Sequence, residues 1–188
     1  MAQSKDNIVT HGLSGKVGNI LVFSQRHGKT FVGKAPKKST KDDTPAQEAH
    51  KLRFQRAIIY GQTVIADPVA KAAYEAAAEN GESAFNVAVA DLLQAPDIDS
   101  VDLSGYTGQV GEKIIILATD DFKVTSVTVN ISNGDGTLVE QGAAVLGNTG
   151  LNWVYTTTAV NPSLSGDKIT VDATDTPGNT TEKETILP

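Results

Sequence analysis

Between Gly12 and Pro36 the hydrophobic residues alternate, but without leaving a polar side. In NILVFSQ (19–25), Ile20 and Val22 fall on one face of an extended chain, Leu21 and Phe23 on the other. RHG (26–28) turns the chain, with Gly28 suited to a left-handed position, and KTFVGK (29–34) returns. The pattern predicts an antiparallel β-hairpin that is apolar on both faces. Two strands alone are marginal in water. Such a ribbon needs cover on both sides: the helices that follow for one, a second copy of the chain for the other.

The polar stretch KAPKKSTKDD (34–43) reads as a linker or exposed loop. Helical signals then begin. Thr44 serves as the cap, Pro45 fits the first helical position, and Gln47 closes a capping box. This helix is expected to run to about Ala66, burying Ala49, Leu52 and Ile59 with Ala46, Phe54 and Ile58 at their flanks. Asp67-Pro68 ends it and opens a second helix, which Asn80-Gly81 ends; the alanines of AKAAYEAAAENG allow close helix packing. Ser83 caps a third, along which Phe85, Val89 and Leu92 recur at helical spacing until Pro96.

After Pro96 the period shortens to two. Seven β-rich runs are separated by turn residues: 98–103, 113–119, 124–131, 137–145, 153–159, 168–174 and 181–187. That spacing predicts an antiparallel sandwich. Val127, Val129 and Ile131 in one run, and Ile169, Val171 and Ala173 in another, are expected to face inward, with Trp153, the single tryptophan, in the same core. The predicted fold class is therefore an α+β module of a hairpin and three helices (1–96), followed by an all-β sandwich (97–188).

Composition narrows the function classes. Hydrophobic residues make up 39% and charged residues 20%, which favours a folded chain over a disordered one. The absence of cysteine excludes disulfides, thiolate zinc sites and cysteine nucleophiles. No apolar run approaches the roughly 20 residues of a membrane-spanning helix, so membrane insertion is not expected. MAQSKDNIVTHG lacks the apolar core of a secretory signal, which leaves three routes open. The protein stays in the cytoplasm, leaves by lysis or within a particle, or has lost a leader. Charge is divided unevenly. Residues 1–60 hold eleven Lys/Arg against four Asp/Glu, a net +7, whereas 61–188 carry −13. Such asymmetry marks either a solvated basic face or an interaction surface.

The second half resembles a bacterial immunoglobulin-like domain, on LATDDFKVTSVTVNISNGDGTLVEQG, NWVYTTTA and ITVDATDTPGNTTE. The resemblance covers about 90 residues and implies a fold. On function it is nearly silent, since spacers, adhesins and virion decorations share that fold. The first half resembles an uncharacterised bacterial family with a Gly-Lys-x-Gly-Asn hairpin and a Thr-Pro-x-Gln helix. The matching stretches are GKVGN (15–19), GKTFVGKAP (28–36), TPAQEAHKLRF (44–54) and GESAFNVAVADLL. It implies no activity and no site residues.

Catalytic chemistry is hard to assemble from these residues. GKT (28–30) lacks the glycine five positions upstream that a phosphate-binding loop needs, the position being Phe23, and a strand follows it rather than a helix. Gly12, Gly15 and Gly18 do not have dinucleotide-fingerprint spacing and read as an extended lead-in. His11, His27 and His50 have no metal-ligand spacing, and no nucleophile elbow is present. Asp120, Asp121, Asp172 and Asp175 crowd loops or strand ends of the sandwich. Calcium takes six to eight oxygens from such clusters, which points to Asp120, Asp121 and Asp175, yet DTPGN is a good turn without an ion. No other cofactor is indicated.

The basic segment holds Lys16, Arg26, Lys29, Lys34, Lys37, Lys38 and Lys41, and it admits two readings. It can track a nucleic-acid backbone, or face the acidic sandwich of another copy and orient assembly. Two apolar faces favour assembly, with Ile20, Leu21, Val22, Phe23, Phe31 and Val32 as the interface. The expectation is a non-enzymatic structural protein that self-associates into a filament or virion-like particle. A nucleic-acid binder and a carbohydrate- or surface-binding module are the alternatives.

Overall fold

The computed structural model describes residues 2–4, 9–26, 28–37, 42–79 and 81–188. It divides into two compact units, residues 1–50 and 51–188.

The first unit holds β1 (Ala2–Ser4), β2 (Gly15–Val17), β3 (Leu21–Arg26) and β4 (Lys29–Lys34). They form one antiparallel sheet in the order β1-β4-β3-β2. The expected hairpin is β3–β4, in register from Leu21 opposite Lys34 to Arg26 opposite Lys29. The ribbon is not alone, however. β2 pairs along β3 across a tight loop in which Gly18 takes a φ of 56°, and β1 pairs along β4. The lead-in read from the glycines is thus partly a strand. β2 is exposed along its length, so it is held by backbone pairing and leaves no burial pattern in the sequence. The loop before it is tied down by Thr30, which is 3% exposed. The Thr30 hydroxyl accepts from the Gly12 N–H at 3.3 Å and from Gln25 Nε2 at 2.7 Å, while Gln25 also donates to the Leu13 carbonyl.

Three helices follow: α1 (Pro45–Ala66), α2 (Pro68–Ala77) and α3 (Ala84–Leu93). Their starts are as predicted. The Thr44 N–H donates to Gln47 Oε1 at 2.9 Å and the Gln47 N–H to Thr44 Oγ1 at 3.3 Å, a closed capping box; Asp67 and Ser83 cap α2 and α3. The buried face of α1 differs from the expected one. Ala57, Gly61 and Val64 are buried, whereas Ala49, Leu52, Phe54 and Ile59 are exposed. A Cβ on Gly61 would lie 2.9 Å from the Phe85 ring and from a Val89 methyl, so the glycine lets α1 approach α3 closely. Small residues, not the largest apolar ones, choose the packed face. No helix among the described residues is long and apolar enough to cross a membrane.

The remaining strands are β5 (Asp97–Asp102), β6 (Lys113–Thr119), β7 (Val124–Ser132), β8 (Leu138–Ala143), β9 (Val145–Leu146), β10 (Asn152–Thr156), β11 (Lys168–Asp175) and β12 (Thr180–Ile186). They make two antiparallel sheets, β5-β6-β10-β9 and β12-β11-β7-β8. The run 137–145 is two strands rather than one. The chain leaves β8 on one sheet and enters β9 on the other at Ala144, which is buried and donates its N–H to the Val127 carbonyl at 2.8 Å. One core joins both sheets: Ile114, Ile116, Trp153 and Tyr155 from the first, Val127, Val129, Ile131, Ile169, Val171 and Ala173 from the second. Among the described residues the fold is therefore mixed α+β, with three antiparallel four-stranded sheets and a β-rich second half.

The division between the two units falls inside α1, so residues 51–66 of α1 cluster with α2, α3 and the β-rich half. The Tyr74 ring of α2 stacks on Phe122, in the β6–β7 turn, with centroids 4.0 Å apart and planes at 17°. From the β11–β12 turn, Asn179 Nδ2 donates to the carbonyls of Asp91, Leu92 and Gln94 at the end of α3, at 3.0–3.4 Å. The Asp91 carbonyl also accepts from the Gln94 N–H at 3.3 Å, whereas the Leu92 and Gln94 carbonyls lie past the last helical N–H and take their donor from this amide.

Candidate functional site

In the first sheet, opposed residues share a face. Leu21, Phe23 and Gln25 therefore lie with Lys34, Val32 and Thr30, and Val22 and Ser24 with Gly33 and Phe31. Both faces carry apolar side chains, as the alternation requires. Leu21, Val22, Phe23, Phe31 and Val32 are each only half-buried. Ile20 sits in the β2–β3 loop rather than in a strand and is 74% exposed. An open, mainly apolar groove of about 800 Å³ is lined by Leu21, Val22, Val32, Gly33 and Pro36, with Ser24 and Lys34 as its polar members.

Of the basic residues, Lys16, Lys29, Lys34 and Lys37 are exposed. Lys38 and Lys41 lie outside the described residues, as does the side chain of Arg26; His27 does too. Gly28, Lys29 and Thr30 form a turn and the start of β4, and the Thr30 hydroxyl is already engaged by Gly12 and Gln25. A strand, not a helix, follows Gly28, which is not the geometry of a phosphate loop.

A second cluster lies where α3 meets the ends of β6 and β11. One carboxylate oxygen from each of Asp91, Asp120 and Asp175 lies within 4.8 Å of the other two. Asp91, on α3, is 0% exposed, and Asp175, the last residue of β11, is 2% exposed. Each is held by its neighbours. Asp120 Oδ2 accepts from the N–H groups of Phe122 (3.2 Å) and Lys123 (2.7 Å). Asp175 Oδ1 accepts from the N–H groups of Gly178 (2.8 Å) and Asn179 (2.6 Å), and Oδ2 from the Asn179 side chain (2.7 Å). Asp91 Oδ2 accepts from the Tyr74 hydroxyl, which also meets the Tyr60 hydroxyl at 2.8 Å. Asp91 Oδ1 and Asp120 Oδ1 are buried with no hydrogen-bond donor.

Such crowding is costly. Two unit charges at this separation repel by about 3 kcal/mol at an effective dielectric of 20. Burial pushes the Asp91 carboxyl up to about 7, the Tyr74 bond opposes it, and Asp120, Asp175 and Asp121 add to the rise. Burial raises the Asp121 carboxyl too, with Asp120 adding to it. A cleft of about 220 Å³ lined by Gln94, Ala95, Asp97, Thr119, Asp120 and Asp121 leads up to Asp120.

The structure thus brings together two of the three expected acidic residues, Asp120 and Asp175. Asp121 is exposed and outside the triad, and Asp172 lies mid-strand opposite Thr128 and Glu182. The residue missed is Asp91. Its signal is in the chain: Ala84, Ala88 and Asp91 form the buried stripe of α3, one position before the stripe of Phe85, Val89 and Leu92 that hydrophobicity selects. An aspartate on that stripe is out of place for packing alone. No protein-family model matches this chain, and a search of the curated proteins returns no match for it.

Proposed function

We propose that this chain is a non-enzymatic structural protein whose copies assemble through the β1–β4 sheet and display an immunoglobulin-like domain. The observation that carries the reading is a sheet with apolar side chains on both faces, none of Leu21, Val22, Phe23, Phe31 or Val32 fully buried, and Ile20 almost bare beside them. Every residue from 45 to 56 of α1 is exposed as well, Leu52 and Phe54 included. Covering these side chains contributes about 25 cal/mol per Å² of apolar area.

The occupant is a second copy. The +7 of residues 1–60 complements the −13 of residues 61–188, so one copy's sheet meets the acidic half of another or pairs at an open strand edge. A contact that closes gives a ring or shell, and one that does not gives a filament. The order of the second half supports an immunoglobulin-like reading. Taken in chain order as A, B, C, C′, D, E, F and G, β5 to β12 fall into sheets ABED and GFCC′. Exposed Lys16, Lys29, Lys34 and Lys37 favour nucleic-acid binding as a second reading.

Light scattering and sedimentation of the full chain test the assembly. Concentration-dependent association is expected, and Phe23→Asp abolishes it while the β-rich half stays folded by circular dichroism. A chain that remains monomeric at high concentration refutes the proposal. Salt-sensitive DNA or RNA binding by that monomer would establish the second reading instead.

A further inference from the structure

We infer that Asp91, Asp120 and Asp175 form a binding site for a hard divalent cation, calcium foremost, which ties the end of α3 to the β6–β7 and β11–β12 turns. The inference is independent of the assembly proposal and concerns a different part of the molecule. Three observations carry it. The three carboxylates converge from three separate elements, each offering an oxygen within 4.8 Å of the others. Two oxygens bound to one calcium at 2.3–2.6 Å lie at most about 5 Å apart, so the spacing suits a single ion. Asp91, wholly buried, keeps Oδ1 without any donor, and Asp120 Oδ1 is likewise unpartnered. A buried carboxylate oxygen left bare is expensive unless something positive reaches it.

Among the described residues no ion pair reaches these carboxylates; neither Lys71–Glu75 nor Lys168–Glu184 involves the triad. The donors that do reach the cluster fix it in place. Backbone N–H groups hold one oxygen of Asp120 and one of Asp175, and Tyr74 holds one of Asp91. The ligand set is oxygen only, with no histidine or cysteine, and that chemistry selects calcium or magnesium over zinc or copper. Three protein carboxylates leave further coordination positions to water, which the cleft beside Asp120 can supply. Asp91 stands in the ligand set where the sequence pattern pointed to Asp121. It is a residue of the helices, so the ion is shared between α3 and the strands.

Terbium, a luminescent stand-in for calcium, tests this on the full chain in chelator-treated buffer at neutral pH. Tyr74, bonded to Asp91, is placed to sensitise it. The expected result is tyrosine-excited terbium emission displaced by calcium chloride, with a thermal midpoint that rises as calcium is added. Asp91→Asn and Asp120→Asn each weaken calcium binding by about tenfold or more, at least the scale lost when an outer-shell partner is removed. Asp172→Asn, outside the cluster, leaves it unchanged. Absence of both emission and a midpoint shift at about 10 mM calcium or magnesium, above the weakest calcium modules, overturns the site. Equal loss in Asp172→Asn also overturns it, by reducing the effect to diffuse charge. A larger shift with magnesium than with calcium overturns the choice of ion. If Asp91→Asn fails to fold, the partly exposed Asp120→Asn decides the matter alone.

Discussion

A methyl group at position 61 would stand 2.9 Å from the Phe85 ring and from a Val89 methyl. Gly61 is therefore kept for closeness, at the cost in helix propensity that a mid-helix glycine carries. Gly61→Val should destabilise the protein by about 1–3 kcal/mol, the range for overpacking, seen as a lower urea midpoint with an unchanged slope. Glu112 gives a residue-scale test of the opposite kind, at the surface. Its carboxylate accepts from the Thr107 N–H at 2.7 Å and the Gln109 N–H at 3.0 Å, and also from the Thr107 hydroxyl. That hydroxyl, with the backbone donors behind it, holds the group below its ordinary value of 4.5. A depressed folded value contributes stability above 4.5 that is lost as pH falls through it. Glu112→Gln should thus lower the thermal midpoint at pH 7 and leave it unchanged once the medium is more acidic than the folded value. Single residues were legible where chemistry and burial agree, as at Trp153 and at the Thr44–Gln47 box. Asp91 was not, because hydropathy ranks an aspartate as surface and cannot see the two other carboxylates that the fold brings to it.

At the scale of elements, boundaries were easier to read than faces. Proline, serine and aspartate punctuate the helices, so α1, α2 and α3 begin where the sequence says. Apolar residues occur all round α1 at Leu52, Phe54, Ile58, Ile59, Val64 and Ile65, and periodicity alone cannot choose among them. Ala57 and Gly61 made the choice by being small, and small residues carry little hydropathy signal. β2 escaped notice for a related reason, since it has no buried side to leave a period of two. The split of 137–145 was hidden too, because its inward positions up to the corner are Glu140, Gly142 and Ala144, which carry little hydropathy signal. The seam between α3 and the strands depends strongly on one side chain. Asn179→Ala removes the side-chain donor from the Leu92 and Gln94 carbonyls at the end of α3 and should cost about 1–3 kcal/mol by chemical denaturation, more than a surface substitution.

At the scale of the whole molecule, the proposed assembly makes charge asymmetry the force that steers copies together. If the basic and acidic parts steer association while apolar contacts hold it, added salt should slow assembly by about tenfold with a smaller effect on its equilibrium extent. Stopped-flow light scattering at several ionic strengths separates the two. An equilibrium that collapses with salt as fast as the rate does would place the binding energy in charge rather than in Phe23 and its neighbours. The change of period near residue 96 is plain in the sequence and marks a change of secondary structure, while the division between compact units falls after residue 50, within α1. Which elements cluster depends on contacts such as Tyr74 with Phe122, distant in the chain and invisible to any local pattern. Anyone wishing to handle the β-rich half by itself must bring the helices along. A fragment begun at 97 would bare the ring of Phe122 to water and leave the Asn179 amide with no helix end to reach. Trimming in the polar segment ahead of Thr44 spares both.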